Sequence, residues 1–195
     1  MQEETHPWNW YIPDGAETVI IGTFPPTRRN WSFDFFYPNK NNYFWKLIAR
    51  IAACPLRCSS GEEAVAERKK LLNQLKLGVS DMGQIIRRKN DSSLDQNLGI
   101  IAFMDIFKLL QDNPSIRKLI FTSSSGKSSA IGWFRDYLSL HGIPFKIPQG
   151  KRPLRTTVAI SGKSFEIVLL YSTSQRAGAS ISFDALTGLF ANEIL

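Results

Sequence analysis

The sequence predicts an α/β fold layered about a central, mostly parallel sheet of about four strands. Three observations carry this reading: short β-branched runs recur along the chain, apolar residues at helical spacing fill the stretches between them, and breaker-rich loops follow the runs. Glu17 to Ile21 (ETVII) stops at Gly22 and the loop TFPPTRRN, the pattern of a buried strand feeding a loop. From Asn42 to Ala53, Phe44, Leu47, Ile48 and Ile51 recur at helical spacing, and Glu62 to Leu77 does the same opposite a charged face, so both are expected to be helices. Arg117 to Thr122 (RKLIFT) reads as a second buried strand, followed by the loop SSSGKSS and a helix from about Ala130 to His141. Thr156 to Ile160 and Phe165 to Tyr171 flank SGKS as a hairpin, which supplies one antiparallel member; STSQRAGAS and a terminal helix near Phe183 to Ile194 follow. Ligands of such sheets bind beyond the carboxyl ends of the strands. The loops after Ile21, Phe121 and Leu170 are therefore expected to converge on one face.

With 195 residues, 43% of them apolar, the chain fits a single domain spanning 1–195 and can bury a sizeable core. No internal repeat or low-complexity tract is visible. The opening MQEETHPWNW is acidic and aromatic, unlike a signal peptide, and no window approaches the roughly 18 apolar residues of a membrane span. Cys54 and Cys58 have no further Cys or nearby His to complete a metal ligand set, so two free thiols in a cytoplasmic protein are expected. The net charge of +7 is unevenly spread: residues 1–112 carry 14 Lys/Arg against 13 Asp/Glu, and residues 113–195 carry 10 against 4. A concentrated positive field suits a polyanion, because each neutralised phosphate releases counterions. The alternative is a merely soluble basic protein.

Three stretches in order, GTFPP at Gly22 to Pro26, FFYPNKNNYFWKLI at Phe35 to Ile48 and LYSTSQRAG at Leu170 to Gly178, resemble the uracil-DNA glycosylase superfamily, most closely its hypoxanthine-DNA glycosylase-like branch. Asn42, Tyr43, Phe44 and Trp45 match that branch's Asn-x-Phe-Trp helix start. LGVSDMGQIIRR with SSLD looks like its Gly-x-x-Asp segment and downstream Ser-x-Asp. The resemblance spans about residues 18 to 190. It implies a three-layer α/β/α sandwich and a cofactor-free, monomeric DNA repair enzyme that flips a deaminated base, hypoxanthine or uracil, out of DNA and hydrolyses its N-glycosidic bond.

That chemistry needs an aromatic platform for the flipped base, donors to the departing base and a positioned water. The resemblance implies a base-binding loop of Gly22, Thr23, Phe24 and Pro25, with Phe44 stacking on the base; as an alternative, Phe44 is an ordinary core aromatic. Phe24 stands where relatives carry a water-orienting Asn or Asp and cannot bind water that way. The hypoxanthine-DNA glycosylase-like branch also lacks a polar residue there, and the resemblance to it shifts the polar role to Asn42, with Asn41 and Asn39 as neighbours that could substitute; Asn42 could equally cap the following helix. Asp81 would orient the loop or serve as a turn residue. Thr122 and Ser123 occupy the place of a base-reading Asn, and their hydroxyls can donate or accept. SSSGKSS lacks the full phosphate-loop pattern. Ser172, Thr173 and Ser174 suit phosphate oxygens, with Gln175 and Arg176 where the family inserts a wedge. Lys127, Lys151, Arg152 and Arg155 are candidate phosphate partners. Neither His6 nor His141 lies in a matching motif, and two cysteines cannot hold an iron–sulfur cluster. A non-catalytic module that keeps the fold and binds nucleic acid or a base, or a different α/β hydrolase, are the competing readings.

Overall fold

The computed structural model describes residues 2–122, 126–175 and 181–195. Its elements in chain order are β1 (Gln2–Thr5), β2 (Thr18–Gly22), α1 (Phe44–Ile51), α2 (Gly61–Leu75), β3 (Leu77–Asp81), β4 (Gly83–Arg88), β5 (Leu98–Phe103), α3 (Ile106–Asp112), β6 (Lys118–Phe121), α4 (Ala130–Leu140), β7 (Leu154–Ile160), β8 (Lys163–Leu169) and α5 (Phe183–Ile194). Among the described residues five strands form the central sheet, in the order β3-β2-β6-β8-β7. The first four are parallel to one another and β7 is the antiparallel edge. A second, antiparallel sheet of β1, β4 and β5 lies beside it.

The apolar runs form strands because both of their faces are covered, as parallel sheets require. In β2, Val19 and Ile21 pack with α3 and α4 on one side, while Ile20 packs with α1, α2 and α5 on the other. The same alternation holds for β6 (Leu119 and Phe121 against Ile120) and β8 (Ile167 and Leu169 against Val168). The result is the α/β/α sandwich. Each fully buried aliphatic side chain contributes roughly 1.5–3 kcal/mol. No helix among the described residues is long and apolar enough to cross a membrane.

Two expectations are corrected. The helix read over Glu62 to Leu77 ends at Leu75, where Lys76 turns into the left-handed region (φ 47°), and the next five residues become β3, the fifth strand. Its outer edge is sealed by a bridge from Tyr11 to Val79. The hairpin is longer than read, and its turn at Ser161 and Gly162 has φ of 49° and 77°, both positive as a tight two-residue connection demands.

The register brings the carboxyl ends of the parallel strands together: Gly22 opposite Asp81, Ile21 opposite Phe121, and Phe121 opposite Leu169. The loops after Ile21, Phe121 and Leu170 leave from this edge, as does Asp81.

Candidate active site

Asp81 ends β3 beside Gly22, the last residue of β2. A methyl group on Gly22 would overlap Asp81 Oδ1 and come within 3.3 Å of the Tyr37 hydroxyl, so a side chain at this position would fill the gap where carboxylate and phenol approach each other. Asp81 is 6% exposed, and its Oδ2 lies 3.0 Å from Nε2 of His6. His6 Nδ1 in turn lies 2.6 Å from the carbonyl oxygen of Trp8. The imidazole, fully buried, meets Trp8 and Phe24 edge to face. Phe24 thus helps wall in the histidine, with the Arg88 guanidinium over its ring at 5.7 Å.

A second carboxyl group lies close by. Thr23 Oγ1 donates to Asp95 Oδ2 at 2.9 Å. Burial pushes the Asp95 carboxyl up to about 6; the Thr23 bond opposes the rise, Asp81 adds to it and Arg88 opposes it. Arg88, 2% exposed, forms a two-pronged pair with Glu4 at 2.7 and 2.9 Å and donates to the carbonyl of Pro25 at 2.9 Å. A buried guanidinium satisfied by carboxylate and carbonyl together fixes the loop that β2 feeds.

Tyr37 covers Phe44. The two rings stack at 3.7 Å between centroids and 14° between planes, and the Tyr37 hydroxyl lies 3.0 Å from Thr122 Oγ1. Burial, and then the nearby Asp81, raise the phenol far above its ordinary range, so it stays protonated at neutral pH. Phe44 is 0% exposed. The expectation that Phe44 offers its own face to a base is therefore corrected: Phe44 is sealed, and one of its faces is taken by Tyr37.

Asn42 lies two residues before α1 and its Oδ1 accepts from the backbone N–H of Phe44 at 2.9 Å, an Asx-type turn that leads into the helix. Its amide nitrogen makes no hydrogen bond to a described residue. The N–H of Tyr43 donates to the carbonyl of Thr173, which pins this helix start to the loop after β8. In that loop Ser172 Oγ donates to Ser174 Oγ and accepts from the N–H of Ser174, Thr173 is buried, and Gln175 is exposed. The readings at Ser123 and Arg176 lie outside the described residues.

The basic candidates separate. Lys151 and Arg152 line a groove of about 290 Å³ with Tyr171, which follows β8 at the site edge, and the Arg152 guanidinium lies 5.8 Å from the Tyr171 ring centre. Lys127 is exposed just before α4. Arg155 is a correction: it is bonded to Glu166 at 3.1 Å and to the buried Glu193, so its charge is engaged within the fold. Among the described residues no group of three or more His, Cys, Asp or Glu is placed to hold a metal ion.

Sequence reasoning missed His6 and Tyr37. Both belong to loops rather than to any periodic segment; the signal available was chemical, a lone histidine among aromatics in THPWNW and a tyrosine in FFYPNK. No family model and no curated protein matches the chain. Among solved structures, the solution NMR structure of a provisionally assigned uracil DNA glycosylase from Methanosarcina acetivorans matches over 98% of each chain, with a TM-score of 0.62 and 19% sequence identity. The chain shares the fold of that protein.

Proposed function

We propose that the protein is a DNA glycosylase that hydrolyses the N-glycosidic bond of a deaminated base, hypoxanthine or uracil, in DNA, without a cofactor. The observation that carries the reading is the layered site at the strand ends: an aromatic ring backed by Phe44, a Tyr37–Thr122 hydroxyl pair, and a buried carboxylate behind Gly22. A flat ring replaces the stacking that a flipped base loses in the duplex, and fixed hydroxyls present donors and acceptors to its edge. As the bond to the base breaks, the sugar gains oxocarbenium character and negative charge collects on the base. Preorganised donors in a dry site lower the barrier to that charge separation. Likeness of fold to the archaeal protein supports the same reading.

Within it, Tyr37 is the stacking surface, Thr122 reads the base edge, and the amide nitrogen of Asn42 donates to the departing base, since its oxygen is committed to Phe44. Gly22, Thr23, Phe24 and Pro25 shape the loop. Ser172, Ser174, Gln175, Lys127, Lys151 and Arg152 face phosphate, Thr173 is buried beneath them and supports the loop, and Arg176 and Ser123 are assigned the wedge and base-reading roles from the sequence. The enzyme acts as a monomer in the cytoplasm.

The test is a panel of single-lesion oligonucleotides, single- and double-stranded, scored for abasic sites after alkaline cleavage. Conversion of at least one deaminated base is expected. Tight lesion binding with no abasic product from any member would sink the reading in favour of a base- or nucleic-acid-binding module.

A further inference from the structure

We infer that Asp81, oriented by His6, is the group that holds and deprotonates the attacking water, in the place Phe24 leaves without a polar side chain. The inference rests on the glycosylase reading and assigns a catalytic group within it. Hydrolysis needs an acceptor for a water proton next to the anomeric carbon, and the first loop offers none, because Phe24 is packed against His6 and Arg88. Asp81 supplies it from the neighbouring strand.

Several features single out Asp81. It is more than nine-tenths buried, yet only Oδ2 is engaged, by His6 Nε2 at 3.0 Å. Oδ1 has no hydrogen-bond partner among the described residues. The one sealed, unpartnered side-chain polar atom among them is Arg68 Nε, so Oδ1 keeps an opening to solvent. It points to the end of β2, into the space left by the missing side chain of Gly22 and next to the Tyr37 hydroxyl. A buried carboxylate oxygen without a partner is costly to keep unless something polar occupies the place facing it. Asp95, the other carboxyl group here, is held by Thr23 and has no imidazole against it.

The step balances with water alone. The water oxygen bonds to the anomeric carbon as the bond to the base nitrogen breaks, the bonding pair leaves with the base, and the water proton passes to Asp81 Oδ1. The proton returns to the released base or to solvent. His6 is a positioning residue: its bond to Oδ2 turns Oδ1 toward the strand end, and Trp8 holds the ring in place.

The experiment is single-turnover excision on whichever lesion the wild-type chain converts, with lesion binding and thermal midpoint measured alongside. Asp81→Asn is expected to lose about 100-fold or more in rate with binding within about threefold of wild type, and Asp81→Ala is expected to regain rate on addition of formate. Gly22→Ala, which leaves the charge in place but crowds Oδ1, is expected to lose rate in the same way and carries the test if the Asp81 variants do not fold. If Asp81→Asn cuts at the wild-type rate, or if Asp95→Asn abolishes cleavage while Asp81→Asn does not, the assignment is overturned and the glycosylase reading stands. A wild-type chain that converts no lesion overturns both.

Discussion

Asn42 is one side chain with two uses. Its oxygen accepts from the N–H of Phe44 at the start of α1, which occupies that oxygen and, on the proposed reading, leaves the nitrogen to meet the base. Asp caps a helix as well as Asn does but lacks the amide donor. Asn42→Asp should therefore keep the thermal midpoint while lowering single-turnover excision on the order of 100-fold. Wild-type rate on every base the parent cleaves would leave Asn42 as a cap and nothing more. Asp95 yields a second residue-scale prediction, with a sign that can be checked. Its carboxyl titrates near 3.8 when unperturbed and near 6 in the fold, where it faces Thr23, Asp81, Arg88 and Tyr37, with His6 one residue beyond. The folded state holds the proton more tightly, so the contribution to stability is full below the unfolded value and is lost as pH rises through 6. Asp95→Asn removes the charge and retains an acceptor for Thr23. It should raise stability by on the order of 1 kcal/mol at pH 8 and leave it almost unchanged at pH 4. Denaturant titration at the two pH values decides; an equal effect at both would show that the buried charge carries no such cost.

At the scale of elements, what the sequence revealed depended on length and apolar pattern. The strands β2 and β6 were legible because they are apolar runs buried beyond their first residue and next to breakers, and α1, α4 and α5 because their apolar residues repeat at helical spacing. β3 was hidden because LGVSD has a single β-branched residue and continues an amphipathic helix without a break; its strand character comes from pairing with β2 and the Tyr11 bridge, both distant in sequence. The second sheet was hidden for a related reason. β1 is QEET, polar throughout, and its pairing with β4 is dressed with Glu3–Arg87 and Glu4–Arg88 ion pairs that no local pattern announces. The loop before α1 shows the same limit at the site. Tyr37 has φ of 52°, uncommon for a non-glycine residue, and is held there by Phe44 below and Thr122 at its tip. On the proposed reading, such a position suits a ring that must stay flat against an incoming base. Tyr37→Leu should weaken lesion binding by roughly 10- to 100-fold, the worth of one base–aromatic stack. If binding is unchanged while stability falls, the ring is core packing for Phe44 alone.

Over the whole molecule, ion pairing redistributes the positive charge that the sequence shows only as a bias toward its second part. The four carboxylates of residues 113–195 are all engaged: Asp136 by Arg135, Asp184 by Arg50, and Glu166 and Glu193 by Lys118 and Arg155. That occupies Arg50, Lys118, Arg135 and Arg155. Lys127, Lys151 and Arg152 make no ion pair among the described residues, and Lys151 and Arg152 stand over Tyr171 at the site edge. Arg117, Lys146 and Lys163 likewise make no ion pair among the described residues, so the pairing separates individual cations in a way that charge counting along the chain could not show. Two variants separate these populations. Reversing Lys151 and Arg152 together to Glu should weaken duplex binding and lower the slope of log affinity against log salt by roughly one unit for each phosphate no longer neutralised. Arg155→Gln should leave that slope alone, because its charge is spent on Glu166 and Glu193, but it strips a partner from a glutamate that is 3% exposed and should lower stability by about 1 kcal/mol or more. Salt titrations of binding alongside denaturant melts read both quantities on the same proteins. A salt slope that falls for Arg155→Gln and not for the double reversal would place the phosphate-facing surface on the β7 edge rather than in the groove over Tyr171.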